Sequence, residues 1–340
     1  MQSQTSLLSE FDLIQRFFKT QSELMLANNP GSVKLGIGDD CALLKTDAAE
    51  ELAITSDMLI SGRHFFPDAN PKWLGWKALA VNLSDLAAMG AKPVGFTLAL
   101  ALSEPNPAWL EAFSKGLFAI ANAYSCSLIG GDTTAGPLNI CITAFGVIRK
   151  EKAIRRSGAI EGDDIWVSGT VGDARLTLAA LRHEIALSKE DLTLIEARMH
   201  QPTPRVNLGL ALRELANSAL DISDGLLGDL KHILKQSSKD AEIFLDRIPK
   251  SSTLLKQSQV IQNQCAASGG DDYELCFTAP SGKRDVIAKI SADLNLPLTQ
   301  IGSIKSMQHS APEIHILDKD GKALSSQEAN LLLKSFDHFA

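Results

Sequence analysis

Acidic residues recur beside glycine, serine or threonine along this sequence. Asp39 and Asp40 follow Gly36-Ile-Gly38, Asp57 follows Thr55-Ser56, Asp85 follows Ser84, and Asp132 follows Gly130-Gly131. Asp221 and Asp224 flank Ser223 ahead of Gly225, and Asp271, Asp272 and Glu274 follow Gly269-Gly270. One turn aspartate is ordinarily an Asx-turn or a helix cap. A set of them, with hydroxyls alongside, is the donor chemistry that hard Mg²⁺ prefers, and Mg²⁺ is usually held by a few carboxylates together with substrate phosphates. The neighbouring glycines suit the same partner, because backbone without a Cβ can approach an anion and present N–H groups to it. The usual nucleotide signatures are absent. There is no G-x-x-x-x-G-K-[ST], no third glycine after Gly36 and Gly38, and no His-Arg-Asp or Asp-Phe-Gly of protein kinases. Zinc is not indicated either: there is no His-Glu-x-x-His, and His183 and His232 read as helix-surface residues. A phosphate and magnesium site of another type is expected.

The elements that must position these groups follow from periodicity. In Ala78 to Ala91 the only ionisable residue is Asp85. The run follows Asn70-Pro71 and ends at Gly90 before Pro93, which predicts one helix over 71–89. Leu79, Asn82, Leu83, Leu86 and Met89 share its face with Asp85, so the carboxylate sits among apolar groups and needs a partner from elsewhere; a metal ion is one candidate. Apolar spacing predicts an N-terminal helix over 6–26. Strand-like runs are Cys41–Leu44 and Glu51–Asp57, each with a carboxylate at one end, then Val94–Leu102 and Leu138–Ile148. A helix from Pro107 to about 122 lies between the last two, and Ser127–Ile129 reads as a short strand ending in a glycine turn with Asp132 at its tip. The basic cluster Arg149–Arg156 marks a domain boundary near 150, giving units of 1–150 and 151–340. The second half predicts helices near 173–184, 189–199, 204–217, 225–237 and 282–294. Its strands fall near 164–168, 219–222, 241–245, 273–278, 298–302 and 313–317. Both halves are mixed, so the fold class is α+β.

The chain has 340 residues, 45% of them hydrophobic, with a formal net charge of -7. That is enough for two domains with real cores, and its charge argues against a nucleic-acid partner. The five cysteines are scattered and form no C-x-x-C pair, which points to reduced thiols in a cytoplasmic protein. No apolar run reaches eighteen residues, so neither a signal peptide nor a membrane span is expected.

Seven motifs in order resemble those of bacterial thiamine-monophosphate kinases: Gly36-Ile-Gly-Asp-Asp-Cys41, Thr55-Ser-Asp57, Asn82-Leu-Ser-Asp-Leu-Ala-Ala-Met-Gly90, Ile129-Gly-Gly-Asp-Thr133, Arg156-Ser-Gly158, Asp221-Ile-Ser-Asp-Gly-Leu226 and Ser268-Gly-Gly-Asp-Asp-Tyr-Glu-Leu275. The likeness runs from about residue 10 to the Phe336-Asp-His-Phe339 tail. It implies the architecture of the superfamily that also holds aminoimidazole ribonucleotide synthetase and selenophosphate synthetase: an N-terminal sheet domain that dimerises and a C-terminal αβ domain. It also implies ATP-dependent phosphorylation of thiamine phosphate to thiamine diphosphate, the final step in making that coenzyme, by a homodimer using several Mg²⁺ ions.

Carried over by motif position, Asp40, Thr55, Ser56, Asp57, Asp85, Asp132, Asp221 and Asp224 resemble the magnesium ligands, the six aspartates among them serving catalysis. Gly131, Asp132, Arg156 and Ser223 resemble the ATP contacts. His64, Asp271 and Phe336 resemble the contacts to thiamine phosphate. Relatives usually carry Glu where this chain has Asp271, and Trp or Tyr where it has Phe336. The rival readings are an enzyme of the same superfamily with another acceptor, a non-catalytic Mg²⁺-nucleotide sensor, and a metal-dependent phosphohydrolase.

Overall fold

The structure is a computed structural model of the chain and describes residues 13–28, 31–37 and 42–333. Asp40 and Phe336 lie outside the described residues. The chain divides into two compact units, residues 1–86 with 91–150, and residues 87–90 with 151–340.

In the first unit, β3 (Glu50–Ile60), β4 (Lys92–Leu102), β5 (Ser127–Ala135) and β6 (Asn139–Arg149) form a sheet in the order β3-β6-β4-β5. A two-stranded ladder, β1 (Val33–Leu35) and β2 (Leu43–Leu44), precedes it. Phe96, Leu98 and Leu100 of β4 alternate inward with Ile140, Ile142 and Ala144 of β6. The other face stays open, with Ile54, Met58 and Ile60 of β3 exposed. Helix α1 (Thr20–Asn28) continues a wider helical turn at Ile14–Lys19, and the start of the expected N-terminal helix lies outside the described residues. Helix α2 (Pro71–Ala88) is entered through Asn70, whose side chain accepts the Lys72 N–H at 3.0 Å. It leaves through Gly90 at φ 67°, where the Ala91 N–H reaches Leu86 O and the Gly90 N–H reaches Ala87 O. That pair of bonds satisfies the last carbonyls. Helix α3 (Pro107–Ala123) carries the same punctuation: Asn106 accepts the N–H groups of Ala108 and Trp109, and proline follows it. The two helices touch through glycines, since a Cβ on Gly75 would stand 2.1 Å from Phe113 O and one on Gly116 1.8 Å from Lys72 O.

Two expectations here need correcting. Gly130, Gly131 and Asp132 do not form a turn: β5 runs through them, parallel to β4, with one extra residue between Leu128 and Gly130. Gly131, at φ 147°, is needed because any Cβ there would lie 1.9 Å from Leu98 O. Asp57 likewise is not at a strand end, because β3 continues to Ile60 against β6.

In the second unit, β7 (Asp163–Ser168), β8 (Ser218–Asp221), β9 (Lys239–Phe244), β10 (Leu275–Pro280), β11 (Leu298–Ser306) and β12 (Ile314–Leu317) form a mixed sheet in the order β12-β9-β11-β7-β10-β8. All six β7 residues are buried, as befits a central strand. Packed with them are α4 (Asp173–Leu181), α5 (Lys189–His200), α6 (Val206–Leu212), α7 (Leu226–Ser237), α8 (Gln259–Ser268), α9 (Arg284–Asp293) and α10 (Ser326–Leu332). The core joins Ile165, Leu220, Leu227, Ile233, Ile243 and Ile301. Helices α8 and α10 were not anticipated. In Gln259–Ser268 the buried residues are the small Cys265, Ala266 and Ala267, too weak a stripe to read by periodicity. Strand β11 outlasts its expected end because a bulge at Gln300/Gly302 re-registers it against β7. His183 is not on a helix face; it sits at φ 59° just beyond α4. Among the described residues no helix is long and apolar enough to cross a membrane.

Candidate active site

The first unit holds one group of the candidate residues. On β3 the side chains alternate, so Thr55 and Asp57 turn inward and Ser56 outward. The Thr55 hydroxyl donates to Asp85 Oδ2 of helix α2. Asp57 is pushed up to about 7, first by burial and then by the Asp85 charge beside it. Two carboxylates and a hydroxyl therefore share one partly buried place, where a hard cation relieves the repulsion that a proton otherwise must. The Ser56 hydroxyl instead meets Thr143 Oγ1 at 2.9 Å on the open face. Asp132 is exposed on β5, opposite Ala99 in register, and Gly131 precedes it opposite Leu98. His64 lies in the turn after β3, where its Nδ1 accepts the Ile60 N–H at 3.0 Å and thereby fixes the ring. Among the described residues, no group of three histidine, cysteine or acidic side chains that could hold a metal ion is found.

The second unit holds another group. Asp221 ends β8, and Asp224 follows in a turn before α7. Asp229 of α7 organises that turn: its Oδ2 accepts the N–H groups of Ser223, Asp224 and Gly225 at 3.0, 3.0 and 3.1 Å. Burial pushes the Asp229 carboxyl up to about 7, against those three donors, and the Asp224 charge adds to the rise. The Gly269–Glu274 stretch runs beside the turn. The Asp271 N–H donates to Ser223 O and the Tyr273 N–H to Ile222 O, while the Ile222 N–H donates to Glu274 O, all at 2.8 Å. Contact here is backbone on backbone: a Cβ on Gly270 would be 2.6 Å from Ser223 O, and one on Gly225 2.8 Å from Ser268 O. The structure thus brings Asp221, Ser223, Asp224 and Asp271 together. Arg156 and Asp224 both act on His232, whose pKa is lowered by burial and by Arg156 and raised back in part by Asp224.

One group in this turn is not among the residues singled out from the sequence: Asp229 stands close to motif residues, and its isolation in apolar surroundings, Gly-Asp229-Leu, is the available signal. His232 lies exposed on α7, as its place on a helix surface predicts.

Two family models match the chain: AIR synthase related protein, N-terminal domain, over residues 38–148, and AIR synthase related protein, C-terminal domain, over residues 161–315. The thiamine-monophosphate kinase of Salmonella typhimurium is 44% identical over 335 residues, covering 97% of this chain and 98% of its own length. The crystal structure of a thiamine-monophosphate kinase from Stenotrophomonas maltophilia, 44% identical, aligns with a TM-score of 0.83 over 93% of this chain and 98% of that one. The structure of AaThiL complexed with AMPPCP and TMP, 29% identical, aligns with a TM-score of 0.71 over 94% and 95%.

Proposed function

This chain belongs to the thiamine-monophosphate kinase family of the AIR synthase related proteins, and from that premise we infer that it phosphorylates thiamine phosphate with ATP to give thiamine diphosphate. The observation that carries this reading is 44% identity over nearly the full length of such a kinase, one structural relative being complexed with AMPPCP and TMP. In the reaction a terminal oxygen of thiamine phosphate bonds to the γ-phosphorus, the bridge to the β-phosphate breaks, and ADP leaves. That acceptor oxygen is already ionised near neutral pH, so the protein need supply no general base and no phosphoenzyme forms. What remains is positioning and charge neutralisation. A coupled assay should show thiamine diphosphate formed in proportion to ADP. Phosphate released to water, phosphate passed to another acceptor, or ATP bound without turnover would each favour a rival.

The proposed metal ligands are Asp40, Thr55, Ser56, Asp57, Asp85, Asp132, Asp221 and Asp224. The Asp57–Asp85–Thr55 grouping and the paired turn at Asp221 and Asp224 support this reading by geometry; the others rest on the family motif. Bound there, several Mg²⁺ ions would neutralise phosphate charge that otherwise opposes approach of two anions. Gly131, Asp132, Arg156 and Ser223 are the proposed ATP contacts. His64, Asp271 and Phe336 are the proposed vitamin contacts, a carboxylate and an aromatic face suiting the cationic thiazolium. The unit of 1–150 would carry metal, nucleotide and dimerisation residues, and that of 151–340 further nucleotide and vitamin residues.

Asp57 gives this a pH signature. Its folded pKa lies near 7 against the usual 3.8, so in metal-free protein the penalty is absent below about 3.8, grows as pH rises, and is complete above about 7. Mg²⁺ must displace that proton. The rise in Tm on adding Mg²⁺ should therefore be larger at pH 8 than at pH 6, and Asp57→Asn should flatten the difference; an equal rise at both pH values in wild type would count against Asp57 as a ligand.

A homodimer through the first unit is the proposed assembly. Ile54 is 59% exposed and Met58 51%, on an open sheet face that also carries Leu52 and Ile60. Light scattering at micromolar concentration should give twice 36.5 kDa, and Ile54→Lys should shift it toward the monomer. A wild-type monomer under those conditions would end this reading. The buried free thiols Cys126, Cys265 and Cys276 are in keeping with a cytoplasmic setting.

A further inference from the structure

Glu274 is 0% exposed, and its carboxylate is enclosed by donors from three separate segments. Ser168 Oγ at the end of β7 donates to Oε2 at 2.5 Å. Arg198 Nη2 of α5 donates to Oε1 at 2.5 Å. Arg205, just before α6, places Nε 2.6 Å from Oε2 and Nη2 2.5 Å from Oε1. Gly169, at φ 59°, makes room, since a Cβ there would lie 2.3 Å from Oε1. Two residues earlier Asp272, also buried, accepts the Gly172 N–H with both oxygens at 2.9 Å.

A buried ion cluster of this kind is a weak device for stability, because apolar side chains of similar size often stabilise as much. Its use must be sought in what it fixes. The residues alternating with the two anchored carboxylates are Asp271 at φ 68° and Tyr273 at φ 50°. Both are non-glycine residues in the left-handed region, which persists only where surroundings over-determine it. The Tyr273 hydroxyl in turn donates to Asp271 Oδ1 at 3.1 Å. The neighbouring Ser223–Gly225 turn has its own anchor in Asp229, independent of Glu274.

We propose that the Arg198–Glu274–Arg205 clamp is a positioning device for Asp271: by locking Glu274 inward, next to Asp272 anchored on the Gly172 N–H, it holds Asp271 and Tyr273 in their left-handed conformations, and so sets affinity for the acceptor phosphate ester of the vitamin rather than for ATP or Mg²⁺. This rests on the placement of Asp271 on the vitamin side. Arg205→Lys keeps the charge and loses the two-pronged grip.

The test uses the full-length protein with Mg²⁺, ATP and thiamine phosphate. Arg205→Lys, Tyr273→Phe and Glu274→Gln are each to be compared with Asp271→Ala. Arg205→Lys and Tyr273→Phe should raise KM for thiamine phosphate about tenfold and threefold respectively, with KM for ATP and the Mg²⁺ requirement within a factor of two of wild type. Added to Asp271→Ala, Arg205→Lys should bring no further rise, because it acts through that residue. A merely structural clamp would lower Tm while leaving both KM values unchanged, and that result overturns the proposal. So does an additive effect in the double variant. If Asp271→Ala itself leaves KM for thiamine phosphate at the wild-type value, the vitamin-side reading falls and the clamp's role with it. If Asp271→Ala raises KM while the clamp variants do not, the clamp proposal alone is wrong. Should Glu274→Gln fail to fold, the milder Arg205→Lys and Tyr273→Phe decide the matter.

Discussion

Asp85→Asn should lower kcat at least 100-fold while leaving the fold and the Tm close to wild type. The substitution keeps the size of the side chain and an oxygen that can still accept from Thr55 Oγ1. What it removes is one negative charge from the place where Asp57 and Asp85 repel each other, and hence the attraction for a divalent cation. A metal at developing phosphate charge contributes several kcal/mol to the transition state, and a 100-fold loss corresponds to about 2.7 kcal/mol. Near wild-type turnover at saturating Mg²⁺ would sink the assignment of Asp85 as a ligand. The same variant should also release Asp57 from its like-charged neighbour. The loss should therefore appear in kcat together with Mg²⁺ affinity, whereas a general unfolding would reduce the active fraction at unaltered Mg²⁺ dependence.

Gly116→Ala should destabilise the first unit by about 3 kcal/mol, or roughly 6–12 °C in Tm. On helix propensity alone the change would stabilise by about 1 kcal/mol, since alanine is the better helix former. Packing reverses the sign. The new methyl would stand 1.8 Å from Lys72 O and 2.8 Å from Lys72 C, both backbone atoms that no rotamer change can move aside. Helix α2 must shift outward, and overpacking of this kind typically costs 1–3 kcal/mol even where side chains can yield. Because α2 carries Asp85, turnover should fall with stability. A thermal melt of Gly116→Ala within 2 °C of wild type would show that the two helices do not approach as closely as described.

The parts of this molecule that the sequence made legible are those written in short-range chemistry. Helix α2 could be bounded to within a residue, because proline at its start and Gly90 at its end are local demands of helix termination. Strands β4 and β6 showed as apolar runs for the same kind of reason. Asp132 was misjudged because a Gly-Gly-Asp run signals a turn locally, whereas the close approach of Leu98 O to Gly131 is a sheet contact made with a distant strand. Helix α8 went unread because its buried side chains are small, and burial of alanine and cysteine leaves almost no hydrophobic period.

The acidic residues and the family likeness were determined by the sequence itself, since ordered motifs of residue types survive without coordinates. What only the tertiary structure decided is which of them meet. Asp57 and Asp85, 28 positions apart, become neighbours because inward-facing positions of β3 meet helix α2, and the Thr55 hydroxyl joins them by the same alternation while Ser56 turns away. Asp224 and Asp271 are brought to one ladder by three backbone hydrogen bonds between segments some fifty residues apart. Glu274, which reads in the sequence as one more acidic residue after a glycine pair, proves to be enclosed by Arg198, Arg205 and Ser168. The physical reason is the same throughout. A residue's type fixes what chemistry it can do, but its charge state and orientation depend on neighbours that long-range packing supplies.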